Sequence, residues 1–385
     1  MVFFFILCYL LYLTIYISVV SGQCRKDQQS LLLQLKNNLT FMPESSTKLK
    51  SWNQNIACCQ WRGVICDEES HVIDLDLSRE SISGGFDNSS SLFGLQHLQN
   101  LDLSFNNFNS VIPSSISKLE NLTYLNLAYA GFWRKIPMEI SQLSRLVILD
   151  LSNSFLLTEL EVQNLGMFVR NFTKIRQLFL DGVTISAHGL AWQAALLQIP
   201  TLQELRMVDC NLSGPLQSSL TRLENLSVIY LGLNNLSSAV PETFANFRNL
   251  TTLNLYGCQL IGMFPQKIFQ MPTLSLIDTS YNNDLHGFFP EFPLNGFLLT
   301  LLVSYTSFSG QLPNSIGNIR HLSFMDLSFS QFKGSLPNSK GQLNDFINSS
   351  SRIQWLDLSG NHLEGPISIS LLQLTNLHDL KLSSN

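Results

Sequence analysis

The sequence carries little charge. Only 13% of its 385 residues are Asp, Glu, Lys or Arg, and the formal net charge is −5. Binding a nucleic-acid backbone needs clustered positive charge, so that class is excluded. Catalytic signatures are also missing: there is no G-x-S-x-G, H-E-x-x-H, phosphate loop or kinase motif. His71, His97, His188, His286, His321, His362 and His378 are scattered, and carboxylates such as Asp102 and Asp150 recur with a repeat. That recurrence points to a structural role, not to paired acid–base chemistry. No nucleophile, base and orienting group can be assembled, so neither catalysis nor a cofactor is expected. Beyond Val20 no run of 18 apolar residues occurs, which argues against a further membrane span. A disordered tail is excluded too, because 45% of the residues are hydrophobic.

Residues 1–22 read as a signal peptide. Val2 to Val20 is almost wholly apolar, and Val20 and Gly22 fit the −3 and −1 positions of a cleavage site. An uncleaved anchor is the alternative, since no Lys or Arg precedes the apolar run. Either reading sends the rest of the chain into the secretory pathway. Cysteine usage agrees with an oxidising compartment. Of seven Cys, Cys8 leaves with the signal, and Cys24, Cys58, Cys59 and Cys66 form an N-terminal group. A vicinal Cys58–Cys59 bridge is strained. That leaves Cys24–Cys58 with Cys59–Cys66, or the crossed pairing. The first is favoured because Cys59–Cys66 closes a short loop around Trp61. With no His among these four, a metal site is not expected.

From Val72 one template recurs: L-x-x-L-x-L-x-x-(N/C/small)-x-L/F-x-G-x-(I/L/F)-P. Coils start at Val72, Leu98, Leu122, Leu146, Ile175, Leu202, Leu226, Leu250, Leu274, Leu298, Leu322, Ile353 and Leu377, and eight of the twelve intervals are 24 residues. This is the period of leucine-rich repeats. The x-L-x-L-x segment alternates with period two, so it predicts a short strand with inward leucines. Stacked coils then share one core and a parallel sheet. The expected fold is an α/β solenoid, a right-handed leucine-rich-repeat superhelix with a concave parallel β-sheet. Its domains are the signal peptide 1–22, an N-terminal cap 23–71 and repeats 72–385, about twelve full coils plus one truncated coil.

Asn106, Asn234, Asn282 and Asn361 follow the last leucine by three residues, where an inward amide can satisfy the turn. Cys210 and Cys258 take the same position two coils apart, about 9.5 Å by strand spacing. That exceeds disulfide reach, so both are expected to be buried free thiols. Ile-Pro and Phe-Pro pairs disfavour long helices in the second half of each coil. The coils from Leu146 and Ile175 lack that Pro. They carry helix-like spacing instead: Leu165, Phe168, Val169, Phe172, then Leu190, Ala194, Leu197. The polar stretch Ser339 to Ser351 reads as a loop. In the cap, Asp27 is expected to cap a helix with apolar face Leu31, Leu32, Leu35 and Leu39, and Trp52 and Trp61 to cover the first coil.

Aligned strands place Asp102, Asn126, Asp150, Phe179, Arg206, Tyr230, Asn254, Asp278, Leu302, Asp326 and Asp357 in one outward column. Tyr281, Tyr305 and Phe329 form a neighbouring column, with Tyr256 beside it. Aromatics and Arg dominate interface energetics. Phe179, Arg206, Tyr230, Tyr256, Tyr281, Tyr305 and Phe329 are therefore the candidate ligand-binding residues. Nine glycosylation sequons occur, at Asn38, Asn88, Asn121, Asn171, Asn211, Asn225, Asn235, Asn249 and Asn348. Asn121, Asn225 and Asn249 precede the first leucine of their coils and should line one lateral edge.

The stretch Cys24-x-x-Asp27-x-x-x-Leu31-Leu32, with Trp52-Asn53 and Cys58-Cys59-Gln60-Trp61-Arg62-Gly63-Val64-Ile65-Cys66, resembles the plant extracellular leucine-rich-repeat cap. The G-x-I/L-P element resembles the plant-specific repeat subclass. Leu180 to Ser186 and Cys210 to Pro215 are similar to receptor-like proteins of the Verticillium-wilt-resistance type. That resemblance implies a type I plasma-membrane receptor-like protein without a kinase. It would recognise a peptide or protein ligand, pathogen-derived or developmental, and act with a receptor-kinase co-receptor, here in defence signalling. Two departures stand out. Trp192-Gln193 replaces the family's Trp-Cys, and the chain stops at Asn385 inside its thirteenth coil, so membrane attachment would need a C-terminal helix that this chain lacks. A secreted inhibitor resembling polygalacturonase-inhibiting proteins, or a truncated decoy, is the alternative reading.

Overall fold

The computed structural model describes residues 24–153, 159–187, 189–336, 352–366 and 375–385. The expected signal peptide 1–22, the stretch Ser339 to Ser351 and the sequon Asn348 lie outside the described residues. The chain divides into two compact units, Met1–Phe132 and Trp133–Asn385.

The first unit contains the cap. Helix Lys26–Asn38 buries Gln28, Leu32 and Leu35, with Leu39 buried at its C-cap. Arg25, not Asp27, holds the N-cap position; Asp27 lies inside the first turn and makes no capping bond. It acts there only as a negative charge near the positive helix end. The disulfides are Cys24–Cys58 and Cys59–Cys66, the favoured pairing. Trp52 and Trp61 are buried and stacked, with ring centroids 5.0 Å apart. Their indole N–H groups donate to the carbonyls of Arg62 and Ile56. The cap is tied to the first coil by Val72 N–H donating to Gln28 Oε1 at 2.6 Å and by Ser91 Oγ donating to the Leu31 carbonyl. Strand Val64–Cys66 pairs antiparallel with Val72–Asp76, and Asn100–Asp102 and Tyr124–Asn126 then add in parallel.

In the second unit the strands run in chain order from Ile148–Asp150 to Asp379–Lys381, all parallel and one per coil. Their central residues, among them Leu149, Leu178, Leu205, Ile229, Leu253, Ile277, Leu301, Met325 and Leu356, are buried at 2% exposure or less. This alternation is what period-two patterning demands when one face meets a core. Further parallel sheets form where the chain leaves these strands. One runs Arg134–Lys135, Leu160–Val162, Val183–Ile185, and another joins Gly262–Met263 through Asn282–Gly287, Thr306–Gly310 and Gln331–Ser335 to His362–Glu364. After Pro137, Pro241 and Pro313 the chain makes short 3₁₀ helices, and after Pro265 a four-residue α-helix, Gln266–Phe269; Pro fixes φ at the entry of each.

The two coils without that Pro carry α-helices, Leu165–Val169 and Ala191–Leu196. Leu165, Phe168, Val169 and Phe172 are buried as expected. In the second helix the buried face is Trp192, Gln193, Ala195 and Leu196, while Leu190 and Ala194 are exposed. The expected face was displaced because the largest residue, Trp192, fixes the helix rotation. Gln193 bridges coils: its Nε2 donates to the Pro215 carbonyl and its Oε1 accepts from Gln217 N–H.

Candidate functional site

The buried ladder sets the register on which any surface site depends. Asn234 Oδ1 accepts from the N–H groups of Cys210 and Leu212, and its Nδ2 donates to the carbonyls of Met207, Leu231 and Gly232. Asn106, Asn282 and Asn361 also donate to carbonyls of their own and the preceding coil. Cys210 and Cys258 are free and buried. Their thiols donate to the carbonyls of Leu180 and Leu231 at 2.9 and 3.1 Å. Burial pushes both thiols upward, Cys258 to about 12, so they are donors in the ladder and not nucleophiles.

Glu80 occupies the ladder position of the first coil, which the template had not assigned. Its fully buried carboxylate turns toward the cap. It accepts from Ser46 Oγ, Thr47 Oγ1 and the N–H groups of Thr47, Lys48 and Leu49. Burial disfavours its charge, but these bonds outweigh burial and hold it below the usual carboxylate range.

On the outward face of the second unit the register aligns Asp150, Phe179, Arg206, Tyr230, Asn254, Asp278, Leu302, Asp326 and Asp357, residue by residue. The seven candidate residues fall into two groups. Arg206 lies with its guanidinium over Tyr230 at 4.6 Å and Phe179 at 6.0 Å, and its Nε donates to Asp181 Oδ2 at 2.9 Å. Burial opposes its charge, and the nearby Asp181 carboxylate more than restores it. Tyr256, Tyr281, Tyr305 and Phe329 form the second group. Centroid separations are 5.1 Å for Tyr256–Tyr281, 4.5 Å for Tyr281–Tyr305 and 4.6 Å for Tyr305–Phe329. Among the described residues no ring contact joins Tyr230 to Tyr256.

Tyr281, Tyr305 and Phe329 share a feature that composition does not reveal: each has φ between 51° and 57°. The same seat is left-handed in other coils and holds Gly182, Gly257 and Gly360 there. An aromatic in this conformation costs about 1 kcal/mol relative to glycine. Tyr281 and Phe329 nevertheless stay 51% and 52% exposed. In the first unit the same seat carries Arg79, Phe105 and Tyr129, with Arg79 over the Phe105 ring at 3.9 Å and Phe105 stacked on Tyr129. A second apolar row was missed because its residues open the strands: Phe324 is exposed, and Trp355, the next residue in that row, is half-buried.

Six of the sequon residues, Asn38, Asn88, Asn211, Asn225, Asn235 and Asn249, are exposed; Asn121 and Asn171 are half-buried. Asn121, Asn225 and Asn249 each donate Nδ2 to a carbonyl of the preceding coil, of Gln96, Pro200 and Glu224. Among the described residues, no helix is long and apolar enough to cross a membrane.

Parallel one-strand coils, an amide ladder and a two-disulfide cap define a leucine-rich-repeat protein. The leucine-rich-repeat N-terminal domain model matches residues 25–67, and leucine-rich-repeat models match 97–119, 200–260 and 352–374. Receptor-like protein 6 of Arabidopsis thaliana is 31% identical over 80% of this chain and 28% of its own length. Receptor-like protein Cf-9 of Solanum pimpinellifolium is 31% identical over 78% of the chain and 31% of its own length. Among solved structures, the Arabidopsis receptor kinase HAESA, crystallised with the peptide hormone IDA and the co-receptor SERK1, superposes with TM-score 0.78. It is 26% identical, covering 93% of this chain and 62% of that one. PEPR1 in complex with AtPEP1 gives 0.69 at 29% identity, over 92% and 48%. The chain carries the leucine-rich-repeat N-terminal domain and leucine-rich repeats, and over most of its length it is similar to plant receptor-like proteins. It spans about a third of the length of these curated relatives.

Proposed function

We propose that this chain is the ligand-recognition part of a plant cell-surface receptor-like protein, acting in defence signalling through a partner receptor kinase. The observation that carries this reading is the row Tyr256–Tyr281–Tyr305–Phe329. Exposed aromatics held at stacking distance on a rigid sheet supply contact area at low entropic cost. Similarity to HAESA, crystallised with the peptide hormone IDA, supports a peptide as the ligand. The repeats would face the outside of the cell, with glycans on the exposed sequons restricting which edges a partner can approach. A surface built of stacking rings and repeated Asp–Ser turns supports a recognition role.

The test is association with a receptor kinase. The tagged receptor is expressed in plant tissue, treated with the peptide fraction of extracellular fluid, and precipitated. Kinase co-precipitation that increases with the fraction, and is lost in Tyr281→Ser/Tyr305→Ser, supports the proposal. Association that ignores both the fraction and these substitutions rejects it.

A further inference from the structure

Three parallel rows run across the strands of the coils that begin at Leu274, Leu298, Leu322 and Ile353. The first row is Leu276, Thr300, Phe324, Trp355, and the second is Asp278, Leu302, Asp326, Asp357. The third is Tyr281, Tyr305, Phe329, ending at Gly360, over which Phe329 leans: a Cβ added there would lie 2.7 Å from the Phe329 ring. Three carboxylates, interrupted by Leu302, thus lie between a row that is apolar except for Thr300 and a row of aromatic rings. In residues 274–282, 298–306, 322–330 and 353–361 there is no Lys, Arg or His.

Among the described residues, Asp278 and Asp326 have no ion pair. Each of the three carboxylates uses Oδ1 to accept from the N–H two residues on, at Ser280, Ser328 and Ser359. Asp278 Oδ2 accepts from the neutral amide of Asn254. Burial pushes the Asp278 carboxyl upward, and repulsion from Asp326 adds to this. At the far end the chain itself shows what relieves such a charge. Lys381 Nζ lies 3.5 Å from Asp357 and 4.4 Å from the centre of the Trp355 ring. Arg206, held by Asp181 over Tyr230, is a second case of the same arrangement. One coil earlier, Asp326 stands beside Phe324 in the positions that Asp357 and Trp355 hold, and among the described residues no cation fills the place that Lys381 takes.

We infer that the face formed by residues 276–329 binds an extended basic peptide segment whose Lys or Arg side chains sit against Asp278 and Asp326, with its apolar side chains on the Tyr281–Tyr305–Phe329 row. This rests on the recognition role proposed above and adds the chemistry of the ligand. Asp278 and Asp326 are two strands apart, about 9.6 Å. A segment in the extended polyproline II conformation advances about 3.1 Å per residue with three residues per turn, so basic residues at i and i+3 lie on one face at about this spacing.

The experiment uses the secreted chain and three synthetic ten-residue peptides, identical except for Lys, Gln or Glu at every third position. Binding is measured by calorimetry at about 0.15 M salt, where long-range attraction is screened. The Lys peptide is expected to bind and the Glu peptide not. Asp326→Asn and Asp278→Asn should each weaken the Lys peptide roughly tenfold, the loss of one charge-assisted contact. Tyr305→Ser, which changes no charge, should weaken it similarly. Equal binding of the Lys and Gln peptides, or Lys-peptide affinity untouched by the Asp substitutions or by Tyr305→Ser, overturns the inference. If the Glu peptide binds and Tyr305→Ser abolishes it, the face is a recognition site of the wrong charge for this inference, and the receptor proposal stands. If no peptide binds, the basic-segment inference falls, and kinase association decides the receptor proposal separately.

Discussion

Replacing Glu80 by Gln tests how the cap is fastened to the repeats. The carboxylate is fully buried and accepts from three consecutive backbone N–H groups, Thr47 to Leu49, at 3.0 to 3.1 Å. Gln is nearly isosteric, but its NH₂ must face donors where an oxygen stood. One or two of those buried donors then lose their acceptor, at about 1–3 kcal/mol each. The variant should destabilise the cap by about 3 kcal/mol at neutral pH, within the range for breaking a buried charged network. The sign of the pH dependence follows from the depressed carboxyl. Its contribution is complete above the ordinary glutamate value of 4.5 and is lost as pH falls through the lower folded value. The gap between wild type and Glu80→Gln should therefore be full above about pH 5 and shrink as pH falls below it. Urea unfolding across that range, with hydrogen exchange at the amides of Thr47, Lys48 and Leu49, reads both effects. A variant as stable as wild type at pH 7, or a gap that does not change with pH, would refute the reasoning.

Cap disulfides should differ in worth. Loop closure over the 34-residue separation of Cys24–Cys58 gives about 3.8 kcal/mol, and over the 7-residue separation of Cys59–Cys66 about 2.5. Paired Ser substitutions compared by urea unfolding check the order, and a reversed order counts against the entropic account. Asn234→Ala removes an amide serving five buried backbone groups, so a loss of about 3–5 kcal/mol is expected, visible as faster hydrogen exchange at Cys210 and Leu212. Cys210 and Cys258 should resist maleimide at pH 8 in the folded protein and react once it is unfolded in urea. Labelling of the native chain at either thiol would show that burial does not protect them.

Much of the framework was legible in the residues. Alternation around the inward leucines set the strand register, and the loop around Trp61 selected the observed disulfides. The thiol positions followed from their place in the template. What escaped depended on geometry that no spacing encodes. Glu80 went unassigned because a carboxylate replaces the usual amide and its partners lie more than 30 residues away in the cap. The missing signal was its position, four residues after Asp76, as Asn106 follows Asp102. Asp27 looked like a cap because its residue type favours that role, but the helix begins one residue earlier. The candidate band resolved into two clusters because Tyr256 leaves the strand column after Asn254, and its backbone lies over Gly232. The left-handed seat under Tyr281, Tyr305 and Phe329 is a backbone property that appears only with coordinates.

The central claim is that this chain meets its partner on the sheet face of the second unit. Photo-crosslinking tests it whatever the ligand is. A benzophenone side chain is placed singly at Tyr281, Tyr305 or Phe329, and for comparison at Asn283 or Lys333 on the five-stranded sheet, all of them partly or well exposed. Each protein is then irradiated in plant extracellular fluid. Adducts of defined mass at the first three positions and not at the last two are the predicted result. Adducts confined to Asn283 and Lys333, or spread evenly over all five, would contradict it.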